Sequence, residues 1–81
     1  MDKDLARKII RTSFLAGSEL QSLIGPLKAQ CNASDYKYFS QKVAMAIDGV
    51  HVALVDTVLA RFPELEKEMD ANLAKTGKIM P

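Results

Sequence analysis

Residues 35–62, DYKYFSQKVAMAIDGVHVALVDTVLARF, decide the fold. Tyr36, Phe39, Val43, Ile47, Val50, Leu54, Val58 and Phe62 recur in threes and fours, the spacing that lines up side chains on one face of an α-helix. That spacing predicts one helix over 35–61, about 27 residues and ~40 Å long. Two features argue against it locally. Gly49 costs up to about 1 kcal/mol relative to alanine in a helix, and Val50 to Leu59 is rich in β-branched residues that favour strands. A lone strand in this chain would leave its backbone groups without partners, so the helix prevails.

The flanks read as helices too. Upstream, Leu5, Ile9, Thr12, Ala16, Leu20, Leu23 and Leu27 form a stripe, widened by Ile10, Phe14 and Ile24. A first helix is expected at about 3–24, capped by Asp2 or Asp4, supported by Asp4 pairing with Arg7 and Lys8, and stopped by Gly25 and Pro26. Between Pro26 and Ser34 the proline can start one extra turn before Asn32 or Ser34 caps the central helix. Downstream, Phe62-Pro63 breaks the chain, because the residue before proline is pushed out of the α region. A third helix is expected over 63–76, with Glu64 and Glu66 near its positive end and Leu65, Met69 and Leu73 as a narrow stripe. Lys75 and Lys78 lie near its negative end, Gly77 is its expected stop, and 78–81 is expected to fray.

Composition agrees with a single domain spanning 1–81. With 48% hydrophobic residues and a net charge of +1, the chain is too apolar and too balanced to be intrinsically disordered. One cysteine, Cys31, closes no bridge within the chain, and the charged N-terminus suits no secretory segment, so a reducing cytoplasm is expected. Charged residues interrupting the apolar stretches argue against a membrane span.

The expected architecture is all-α, a three-helix antiparallel bundle with a long central helix. A chain this short has little material to cover its own core. On an ideal helical wheel Val52, Val55 and Leu59 project away from the main stripe, and Ile10 and Phe14 leave the main stripe of the first helix. These five residues are the expected interface of a homodimer, or of a complex with another helical protein.

Catalytic and cofactor chemistry find little support. His51 is the only histidine and lies 20 positions from Cys31, which is not a zinc-ligand spacing. Asp48, three residues before His51, is its expected hydrogen-bond partner, and that pair alone is no catalytic site. A comparison with phosphotransfer domains fails because Val52, Ala53, Leu54 and Val55 follow the imidazole with no lysine among them. A comparison with helix-turn-helix modules fails by one position: with Ala44 at the packing site, the turn glycine should fall at Asp48. The spaced glycines make no phosphate loop. Neither an enzyme nor a cofactor is therefore expected. The alternative to an interaction module is a regulatory nucleic-acid-binding protein using Lys3, Arg7, Lys8 and Arg11, although no aromatic residue is interleaved with them to stack on bases.

Overall fold

A computed structural model describes residues 1–76 as all-α, with no strand among them. In chain order the elements are α1 (Lys3–Gln21), α2 (Ile24–Gln30), α3 (Ala33–Val50), a π-helical turn (His51–Asp56), α4 (Thr57–Arg61) and α5 (Glu64–Thr76). Asp2 caps α1 by accepting the Leu5 N–H at 2.7 Å, and Asn32 caps α3 by accepting the Asp35 N–H at 2.8 Å. Each side-chain oxygen satisfies one of the donors that a helix start leaves without an intrahelical partner. The expected stop at Gly77 and the fraying of 78–81 fall outside the described residues.

The first helix ends sooner than expected. α1 closes at Gln21, and Gly25 and Pro26 lie in the first turn of α2 instead of stopping the helix before them. Pro26 fits there because the opening turn asks little of its missing N–H.

The buried face of α1 is also rotated from the expected one. Ala6, Ile10 and Ser13 are buried, whereas Leu5 is 48% exposed and Thr12 is exposed. Gly17 continues this face toward the rod, where an added Cβ would meet Ile47 Cγ2 at an ordinary van der Waals distance of 3.9 Å. The Ser13 hydroxyl donates to the Ile9 carbonyl at 2.7 Å, which removes the penalty of burying it.

From Ala33 to Arg61 the chain forms one 29-residue rod, continuous through Gly49 and holding a π turn within it. A π turn bonds residue i to i+5 and so takes up one residue more than an α turn. The core face therefore steps from Val50 to Val55, five residues on. Val55 is 1% exposed, while Leu54, expected on the core stripe, is 45% exposed. Beyond the turn the stripe continues through Val58, Leu59 and Phe62 to Leu65 of α5.

Ala6, Ile10, Val58 and Leu65 form the core cluster, with Ile9, Phe14, Leu59, Phe62 and Met69 packed around it. From Ala6 to Gly17, the partners of α1 on the rod run from Val58 through His51 to Ile47. Gly49 faces open space, with nothing within 4 Å of an added Cβ. Gly49→Ala is accordingly expected to raise stability by about 0.5–1 kcal/mol, because alanine loses less backbone entropy in a helix. A thermal midpoint ~2–8 °C higher is the corresponding reading.

Candidate interaction surface

Of the five interface residues expected from sequence, only one is fully available. Val52 is 54% exposed, Phe14 and Leu59 are half-buried against the core cluster, and Val55 and Ile10 are sealed inside the single chain. Ile10 is a member of the core cluster itself. Val55 turns inward because the π turn adds a residue between it and Val50, and there it lines a cleft with Ser13, Phe14 and Gly17 of α1. Val55 and Ile10 are therefore core residues.

The surface that does remain open runs along the rod. Phe39 (48% exposed), Met45 (63%), Val52 and Leu54 lie on its solvent side with Ala46 and Ala53. Tyr38 stands at the same end, edge-on to Phe39 with ring centroids 5.3 Å apart, and the Lys42 ammonium sits 5.2 Å from the Tyr38 ring centroid. Sequence reasoning missed Met45 and assigned Phe39 and Leu54 to the core. The signal for Met45 was its seven-residue spacing from Tyr38 and Val52, which returns to nearly the same side of an α-helix. An 18-residue window of the rod has a mean hydropathy of 1.7 with only 17% of it buried, long and apolar enough to cross a membrane by length and composition. The sequence reading had treated its charges as excluding that.

His51 does not pair with Asp48. Its Nε2 lies 3.5 Å from Asp56 Oδ1, five residues on, the separation that a π turn brings into line. The Phe14 ring meets the imidazole edge-on at 5.8 Å. Beside them Ser13, Phe14, Gly17, Ile47, His51 and Val55 line a cleft of about 60 Å³. Small-molecule pockets start near ~300 Å³, so the cleft accommodates no more than a side-chain fragment. Among the described residues no group of three or more His, Cys, Asp or Glu could hold a metal ion.

The basic face of α1 is partly neutralised within the chain. Arg7 grips Glu68 of α5 through Nε–Oε1 at 2.6 Å and Nη2–Oε2 at 3.1 Å, and its Nη1 reaches Asp4 at 2.8 Å. Hydrogen bonding to Glu68, and then to Asp4, raises the guanidinium pKa further above its ordinary value. Lys3 Nζ lies 3.2 Å from Glu64 Oε1. The opposite charges of α1 and α5 thus tie the two helices of the chain together, leaving Lys8 exposed and Arg11 in an interaction of its own.

Glu64 is held below its ordinary carboxyl pKa, first by its own backbone N–H and then by Lys3. A depressed native pKa gives stabilisation that is complete above the ordinary value of 4.5 and lost as pH falls through the native one. Urea midpoints measured from about pH 5 down to about pH 2 should fall more steeply for the natural chain than for Glu64→Gln.

The chain matches no protein-family model, no curated protein and no solved structure.

Proposed function

We propose that this chain is a non-enzymatic helical interaction module: a three-helix antiparallel bundle that pairs as a homodimer through the solvent side of its 33–61 rod. The observation that carries the proposal is the open apolar side of the rod, where Phe39, Met45, Val52 and Leu54 are 45–63% exposed. A compact 8.9 kDa monomer exposes roughly 4800 Å², whereas this chain exposes 5780 Å². The difference, about 980 Å² of polar and apolar surface together, is of the order of the ~800 Å² that each partner contributes to a stable interface. The radius of gyration agrees: 15.1 Å, against roughly 12 Å for a compact domain of this length.

A second copy suits the surface better than lipid does. Asp48, His51 and Asp56 all lie on the rod and are exposed. A membrane centre opposes each aspartate by about 2.5–3.5 kcal/mol, whereas the edge of a protein interface leaves such groups in water. The ion pairs of Lys3 and Arg7 with α5 weaken the nucleic-acid alternative, because those charges are already matched.

The test is the solution mass by light scattering across a range of concentrations. The natural chain is expected at about twice 8.9 kDa, and a Met45→Glu, Leu54→Glu double variant at 8.9 kDa with unchanged helical circular dichroism. A natural chain that stays at 8.9 kDa throughout overturns the proposal.

A further inference from the structure

We infer that the two copies pair with their 33–61 rods antiparallel, crossing near residue 47, so that Met45 of each chain seats on Gly49 of the other. The inference rests on the pairing proposed above and adds its direction and register.

The open side of the rod is uneven along its length. Its middle runs through Tyr38, Met45, Gly49 and Ala53, at steps of seven, four and four, and all four are exposed. The first two are large: Tyr38 is 56% exposed and Met45 63%, and the Phe39 ring broadens this end by standing edge-on to Tyr38. The last two are small, and an added Cβ at Gly49 meets nothing within 4 Å. Val52 and Leu54 stand on either side of Ala53. The N-terminal half of the open side is therefore a ridge, and the C-terminal half a shallow trough.

Antiparallel rods lay each ridge in the trough of the other. Parallel rods would set Tyr38 on Tyr38 and Gly49 on Gly49, touching at one end and leaving a gap at the other, which forfeits contact. Seating Met45 on Gly49 fixes the register, because the two-fold point then lies at residue 47, midway between them. A two-fold axis across antiparallel rods also brings matching flanks together. With the π turn counted, Phe39 and Leu54 share one flank of the rod, and Lys37 and Asp56 the other. Each of these pairs is centred within half a residue of the same point, so Phe39 meets Leu54 and Lys37 meets Asp56 of the other copy.

Charge agrees with size. Over 33–46 the rod carries Asp35, Lys37 and Lys42, one basic residue in excess, and over 47–61 Asp48, Asp56 and Arg61, one acidic residue in excess. Antiparallel pairing sets the positive half over the negative half, whereas parallel pairing sets like on like. Exposed pairs hold little by themselves, so they favour a direction while the apolar contact holds the rods. Asp48 is exposed and lies at the rim near the two-fold point, where it stays in water.

The test is double electron–electron resonance on the full chain carrying Cys31→Ser and one nitroxide, attached either through Ala33→Cys or through Asp48→Cys. Both positions are exposed, so the fold is expected to survive, with circular dichroism as the check. In the antiparallel pair the two labels at position 33 stand about 28 residues apart along the rods, ~40 Å, while those at position 48 lie within about 20 Å. A distance under about 20 Å at position 33 overturns the antiparallel direction and leaves the pairing itself intact. A long distance at position 48 overturns the crossing near residue 47. No dipolar signal between chains in either variant overturns this inference together with the pairing it rests on.

Discussion

Val55→Asp should unfold the chain, while Val52→Asp, three residues earlier on the same rod, should leave it folded. The difference lies in where the carboxylate ends up. At position 55 the side chain is 1% exposed and lines an apolar cleft with Phe14, Gly17 and Ile47, and the imidazole that also lines it, His51, already faces Asp56. An unpaired charge held there costs several kcal/mol, a large share of the ~5–15 kcal/mol that holds a domain together. At position 52 the side chain is 54% exposed, and the new carboxylate stays in water. Its effect on the single chain should stay within about 0.5 kcal/mol, and it should weaken the proposed pairing of two chains. Far-UV circular dichroism in a urea titration separates the two outcomes. Equal midpoints for both variants would contradict the inward setting of Val55.

Ile10→Ala should have the next largest effect. Ile10 is fully buried at the meeting point of Ala6, Val58 and Leu65, so one side chain ties α1 to both α4 and α5. Truncating a buried isoleucine to alanine costs about 2–5 kcal/mol, the higher figures arising where the surroundings cannot collapse into the space. Here two of the three neighbours are short side chains that cannot reach across. A fall in thermal midpoint of ~10–25 °C follows for a chain of this size. Leu15→Ala, at a residue 60% exposed on the same helix, is the control and should change the midpoint by only a few degrees.

How far the fold could be read from sequence differs from element to element. Two caps and one break were legible because they depend on one or two residues each: Asp2, Asn32 and the Phe62-Pro63 pair act through local backbone chemistry, whereas Gly25-Pro26 opens α2 instead of ending the first helix. The long rod was legible because a stripe of apolar residues sustained from Tyr36 to Phe62 has no other regular explanation. The face of α1 was not. Counting large apolar side chains pointed to Leu5 and Ile9, whereas the side of α1 that packs inward carries Ala6, Ile10 and Ser13, with Gly17 toward Ile47. The π turn was not legible either, because a wheel of fixed angle cannot register an inserted residue. That single insertion exchanged Leu54 for Val55 in the core and moved two members of the expected interface set relative to each other, Val52 outward and Val55 inward. The open side of the rod was legible as an excess of apolar residues, but its membership required knowing where the extra residue falls.

The central claim is that the solvent side of the rod is covered by a second copy of the chain. Isotope-filtered NOE spectroscopy on an equal mixture of labelled and unlabelled protein tests it most directly, because only contacts between chains give signals. Intermolecular NOEs should reach the methyls of Met45 and Leu54 and the Phe39 ring, while Ile10 and Val55 show contacts within their own chain only. A spectrum empty of intermolecular NOEs at millimolar concentration, or one whose signals avoid Met45, Leu54 and Phe39, would contradict the account.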